Sequence, residues 1–243
     1  MSYLGILALL SLLILIHELG HLAAAKWAGI PVEGFSVGFG PKLWTRRWGQ
    51  VEYSLRALPL GGFVMLGVTD EEELRAIPLS KRLAFYLGGP LANLLAALPA
   101  LYVLNGAPRG VSFYQLVILP FRQVAASCWQ LLGVLASLPS HSESLSGVVG
   151  IVVEGGRLAQ SGKGLEIAIS LSISLAVFNL LPIPVLDGGQ ITMALLEEAF
   201  PRFARLRLPL TVLGMVVLAA VMIYANGHDL IHYWGQLGHK LRA

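Results

Sequence analysis

The residues able to do chemistry stand at four positions: His17, Glu18, His21 and Asp187. In a helix, His17 and His21 are four residues apart on one face, so two imidazole nitrogens can meet one metal ion. Glu18, one position along, can reach a water on that ion. Catalytic zinc usually has three protein ligands and an open position holding water. His17, His21 and Asp187 supply the three, and Glu18 can accept the water's proton and pass it to a leaving amine. The chemistry implied is peptide-bond hydrolysis. The single Cys128 excludes a cysteine zinc site and any internal disulfide, so any zinc here must use histidine and carboxylate.

The setting of these groups is unusual, because His17 follows the apolar stretch Leu4 to Leu13 without interruption. A central Asp in a membrane span costs about 2.5–3.5 kcal/mol on insertion scales, so such groups are rarely retained without a role. A chance His-Glu-x-x-His match would not explain a second intramembrane carboxylate on a helix broken by prolines. His228 and His232 have the same i, i+4 spacing but lie at an interfacial end, where His is cheap, and are read as lacking a metal role.

The elements that must position this set belong to a membrane protein. With 56% apolar residues and a mean hydropathy of +0.71, the chain requires several spans. The fold class expected is an α-helical polytopic membrane protein with about four transmembrane helices, a small membrane-associated β-hairpin region and an amphipathic helix. The spans fall at about 3–28, 83–104, 165–181 and 208–225, in a single membrane-embedded domain covering 1–243. Ala23-Ala24-Ala25 could suggest a signal-peptide cleavage site, but no Lys or Arg precedes the apolar run, which is span-sized. The net charge of +3 and pI near 9.1 do not indicate nucleic acid, since the seventeen basic residues are scattered rather than gathered into a stripe. They read as loop charges and lipid-headgroup anchors.

Between the spans the pattern changes. Residues 32–66 hold short β-prone runs separated by Gly and Pro and read as hairpins or a small ribbon, with a loosely structured loop as the alternative. Thr69 to Glu73 reads as a solvated acidic cap on a short helix. In the second span Gly88, Gly89 and Pro90 permit close helix approach or a bend, and Asn93 must find a polar partner as interhelical glue. Residues 113–138 read as an amphipathic helix lying on the membrane, with a further span as the alternative. Residues 140–164 read as loop with a short apolar docking segment, Leu145 to Val153. Pro182, Pro184, Gly188 and Gly189 should unwind the backbone after the third span until helix resumes at Ile191, which places Asp187 toward a protein-lined or water-filled cavity. A short interfacial helix is expected after the last span. Loops 29–83 and 182–207 share a side and hold most of the Lys and Arg, which puts that side in the cytoplasm and the N-terminus outside.

His17-Glu18-Leu19-Gly20-His21, Gly89-Pro90-Leu91-Ala92-Asn93 and the Pro-x-Pro-x-Leu-Asp-Gly core within Asn179 to Gly189 together resemble the site-2 protease family of intramembrane zinc metalloproteases. The resemblance covers nearly the whole chain in the family's motif order. Phe35 to Pro41 and Leu58 to Val64 also resemble the bacterial branch that regulates envelope stress. What the resemblance implies is an inner-membrane enzyme with one Zn2+ per chain that cuts a substrate's transmembrane helix near the cytoplasmic side. Its partners would be the lipid bilayer and a single-span protein, such as an anti-sigma factor or a signal-peptide remnant.

The family likeness further implies that 32–66 pairs with an unwound substrate by strand addition, involving Gly61, Gly62 and Phe63, and that Asn179 holds substrate backbone. Alternatively Asn179 is only a polar cap. Two departures stand out. The residues between the second and third spans are too few and too apolar for the PDZ domains of many relatives, and Val148 stands where a family Leu-Ser-Gly-Pro stretch has proline. A metal-binding protein or transporter is the rival reading, but transport needs no Glu18 base and the paired repeat of many transporters is missing. An idle helix-binding scaffold would predict lost ligands.

Overall fold

The computed structural model describes residues 3–68, 70–104, 114, 118–137 and 147–240. Among these described residues, eight α-helices and one hairpin follow in the order α1 (Tyr3–Ala28), β1 (Val32–Trp48), β2 (Val51–Leu66), α2 (Glu71–Ala76), α3 (Leu79–Leu104), α4 (Leu119–Ser137), α5 (Val148–Gln160), α6 (Gly164–Asn179), α7 (Asp187–Ala199) and α8 (Arg207–Lys240). A 3-10 turn, Pro201–Leu206, joins the last two. Among the described residues three helical stretches are long and apolar enough to cross a membrane: Tyr3–Ala28, Leu79–Leu104 and Pro201–Ile231. The chain is therefore a polytopic membrane protein. The third expected span, α6, is apolar but only 16 residues long. At 1.5 Å per residue it reaches about 24 Å, short of a bilayer's hydrocarbon thickness of about 30 Å.

Helix α1 buries one stripe, Ile6, Leu13, His17, His21, Ala25 and Ala28, and presents the rest outward. It closes at Gly29, whose φ of 66° suits glycine, with Ile30 N–H returning to the Ala25 carbonyl at 2.9 Å. The stripe packs on α3 at the point of closest approach. A Cβ on Gly20 would collide with the Gly88 carbonyl, and one on Gly88 would overlap Gly20 and Ala24. Small residues let the two backbones touch, as lipid-embedded helices require in the absence of a hydrophobic drive.

The hairpin replaces the alternative of a loose loop over 32–66. Gly34 to Val37 take partners on both edges, Glu52 to Leu55 on one and Gly62 to Met65 on the other. Glu52 to Leu55 in turn pair with Trp44 to Arg47. Positive φ angles at Gly38, Gly40 and Gly61 allow the strands to fold back on themselves. The outer lanes are therefore residues 42–48 and 62–66. Val32, Phe35 and Val51 bury against Leu22, Ala25 and Ala28 of α1, which seats the hairpin on the helix that carries the histidines. Across the hairpin, the Lys42 ammonium pairs with Glu52 and holds that carboxyl below its usual range.

Several expected boundaries shift. Helix resumes at Asp187 rather than Ile191, because the loop 180–186 wraps back over the start of α7. A Cβ on Gly188 or Gly189 would strike the carbonyls of Leu180 and Ile183, so the glycines are needed inside the helix. Residues 148–160 are helix rather than loop, and Val148 is simply the first helical residue, a place where proline is also favoured. Among the described residues the final helix runs unbroken to Lys240, so the expected interfacial helix is continuous with the last span. The amphipathic region holds α4, whose Val124 packs among Ala97, Leu101, Ile169 and Ile173. Of the described helices it is not among those apolar enough to span. Residues 105–113, 115–117 and 138–146, which include both ends of the 113–138 region and the start of the Leu145 segment, and Thr69 lie outside the described set. Asp70 caps α2 by accepting from the Glu72 and Glu73 amides at 2.9 and 2.8 Å.

Candidate metal centre

Three elements deliver the site. α1 brings His17 and His21 one turn apart, α7 brings Asp187 on its first residue, and α3 supports both from behind. The ligand atoms of His17, His21 and Asp187 all lie within 4.8 Å of one another. His17 Nε2 is 3.1 Å from Asp187 Oδ2, His21 Nε2 is 3.4 Å from Oδ1, and the two Nε2 atoms are 3.1 Å apart. Both rings are about 6% exposed. Asp187 also sits at the positive end of the α7 dipole, which favours its carboxylate form.

The backs of the rings are held. His21 Nδ1–H donates to the Phe85 carbonyl at 2.8 Å, so its Nε2 carries a lone pair. The Asn93 amide lies 3.2 Å from His17 Nδ1, and Asn93 Oδ1 is buried without a partner. Turning the amide by half a rotation sets Oδ1 on Nδ1–H and frees Nε2 of His17 as well. Asn93 is itself fixed through α6, where Ser172 Oγ donates to its main-chain carbonyl at 2.8 Å. With both protons on the Nδ1 atoms, two lone pairs and a carboxylate converge, and Asp187 Oδ2 is buried with no hydrogen-bond donor. A cation answers that concentration of lone pairs, and two imidazoles with a carboxylate suit zinc.

Space for such an ion comes from Gly89, where a Cβ would overlap Nε2 of both histidines. Glu18 lines the same pocket, together with Gly62, Phe63, Val64 and Asn179. Gly62 packs against the Glu18 side chain so closely that a Cβ there would lie 2.8 Å from Glu18 Cγ. Asn179, the last residue of α6, turns its Nδ2 back to the Leu175 carbonyl at 3.0 Å. Gly61 makes the turn into the outer lane that reaches the pocket, with a φ of 122°. Pro182 and Pro184 lie in the turn between α6 and α7, where their missing N–H groups prevent a continuous helix.

The sequence reading missed a second buried polar cluster. Arg82 and Arg207 are 2% and 6% exposed, and both face the buried Glu197, so they are not the headgroup anchors or loop charges expected of them. No spacing rule links residues 82, 197 and 207. Their pairing depends on where α3, α7 and α8 meet.

Comparison with known proteins places this geometry. The chain is 43% identical over 106 residues to a protein of Nostoc sp. provisionally named a zinc metalloprotease, covering 40% of this chain and 29% of the relative. It is 41% identical over 129 residues to a similarly named protein of Chlamydia trachomatis, covering 45% and 21%. It is also 32% identical over 173 residues to the chloroplastic membrane metalloprotease ARASP of Arabidopsis thaliana, covering 66% and 36%. These matches span about a fifth to a third of the relatives' own lengths. The model of peptidase family M50 matches residues 5–223, a stretch that contains His17, Glu18, His21, Asn93 and Asp187. The chain belongs to peptidase family M50, the site-2 protease family.

Proposed function

We propose that the chain is an intramembrane zinc endopeptidase that hydrolyses peptide bonds within or near the transmembrane segments of single-span membrane proteins. The observation that carries this reading is the convergence of His17, His21 and Asp187 within 4.8 Å, with Glu18 on the wall of the same pocket. His17 Nε2, His21 Nε2 and an Asp187 oxygen would hold one zinc ion per chain. When bound, that ion supplies Lewis acidity toward a carbonyl and lowers the pKa of a water toward about 7. Glu18 takes the proton of the attacking water and delivers it to the departing amide nitrogen.

A helical substrate hides its carbonyls in i to i−4 bonds, so it must be extended before cleavage. The outer lane 62–66 suits that task. It is paired with β1 along one edge, and Gly62, Phe63 and Val64 reach the pocket beside Glu18, which supports strand addition by an unwound substrate. Asn179, with its Nδ2 on Leu175, would offer Oδ1 to a substrate N–H. With the buried Arg82 and Arg207 set aside, the remaining excess of Lys and Arg in 29–83 and 182–207 supports a cytoplasmic active-site face and an external N-terminus, and the family resemblance supports residence in a bacterial inner membrane. Substrates of the kind expected are anti-sigma factors or signal-peptide remnants.

The test is co-expression with a tagged single-span substrate, comparing wild type with Glu18→Gln. Cleavage lost while bound zinc is retained is the expected result. Equal cleavage by both proteins would overturn the mechanism.

A further inference from the structure

We propose that Arg207 is a positioning residue that ties the two halves of the metal centre together, with Tyr86 and Gln190 as its two arms; this rests on the zinc reading above. Arg207 stands at the start of α8 and is 6% exposed. One guanidinium nitrogen, Nη1, donates to both Glu197 oxygens at 3.0 and 2.9 Å. The other, Nη2, donates to Tyr86 Oη at 3.1 Å and to Gln190 Oε1 at 2.6 Å.

Each arm leads to a segment that carries or orients a ligand. Tyr86 is the neighbour of Phe85, whose carbonyl accepts from His21 Nδ1 at 2.8 Å and so orients that ring. Gln190 spends its amide donor, Nε2, on the Pro184 carbonyl at 2.6 Å, inside the loop that leads directly into Asp187. The α1–α3 half and the loop–α7 half of the centre are separate pieces of chain, and a buried planar fork is suited to hold both at fixed angles. Glu197 keeps the guanidinium in place, and Arg82 Nη1, 3.4 Å from Glu197 Oε2, extends the pairing to the start of α3. Lysine would carry the charge but cannot reach Glu197, Tyr86 and Gln190 in one plane.

The experiment compares wild type, Gln190→Met and Arg207→Lys as purified full chains, read by zinc affinity in chelator competition and by the visible spectrum of the Co2+-loaded proteins. Melting of the metal-free proteins reports folding separately. Gln190→Met keeps the side-chain volume and removes both hydrogen bonds, so it carries the test if Arg207→Lys does not fold. A roughly tenfold or greater loss of zinc affinity is expected for each, as for other groups that orient metal ligands. A changed Co2+ spectrum and a double variant no worse than the weaker single are expected with it. Wild-type affinity and an unchanged spectrum in folded Gln190→Met would overturn the proposal. Wild-type protein that binds no zinc would instead remove the reading on which it rests, so the two failures are distinguishable.

Discussion

Two helices of this chain carry histidines four residues apart with an acid directly after the first: His17-Glu18 with His21 on α1, and His228-Asp229 with His232 on α8. On α1 the pair meets a third donor from another element, Asp187, and the acid lines an open pocket. On α8 the acid is consumed by structure. Asp229 Oδ2 accepts from the Gly147 and Gly150 amides at 2.7 and 2.8 Å, capping the start of α5, while Asn226 Oδ1 accepts from Val149 at 3.2 Å. His228 stacks on Tyr224 with ring centroids 6.4 Å apart. The same local spacing thus yields a candidate reactive centre in one place and a helix clamp in the other. What separates them is the element delivered opposite each pair.

Substitutions can break or sharpen this contrast. Glu18→Gln is expected to lower cleavage of a co-expressed substrate by about 10²–10⁴-fold, the range a positioned general base supplies. Asp229→Asn should leave the rate within about twofold; a comparable drop there would erase the contrast. Removal of the third donor comes next. Asp187→Ala is expected to leave purified protein nearly free of zinc, and full metal content in that variant would show that the α1 pair needs no partner.

Asn93→Ala should weaken zinc binding by about 10–100-fold while the metal-free protein still folds, measured by chelator competition. On the α8 side, Asp229→Ala strands two buried amides and is expected to cost about 1–3 kcal/mol, seen as faster hydrogen exchange at the first turn of α5. Zinc content should be unchanged in that variant. The smallest effect belongs to His228→Ala, expected within about 0.5 kcal/mol in stability and with wild-type zinc content. A loss of zinc there would mean the α8 pair binds metal after all.

Much of the fold was legible because membrane insertion writes itself into local composition. α1, α3 and α8 follow from apolar runs, the hairpin from β-prone stretches punctuated by Gly, and the broken α6–α7 junction from Pro182 and Pro184. The sequence was less informative where helices had to be placed by what caps them. α5 looked like a Gly- and Ser-rich loop because its N-terminal turn is satisfied by Asp229 and Asn226, about eighty residues away. Gly188 and Gly189 looked like unwound backbone, yet they are helical because the preceding loop lies against them. Arg82 and Arg207 looked like surface cations, and their burial follows only from Glu197 arriving between them.

For the site itself, the sequence alone determined the types of donor, the pairing of His17 with His21 and the presence of a further carboxylate, Asp187, after a proline-broken apolar stretch, since helical spacing and apolar patterning are local matters. Tertiary structure decided the rest. It set Asp187 beside the α1 pair, closed Gly20 on Gly88, opened room at Gly89 and turned Phe85 and Asn93 onto the backs of the rings. Those choices are contacts between segments far apart in the chain, and contacts of that kind depend on how whole helices pack, which no run of neighbouring residues encodes.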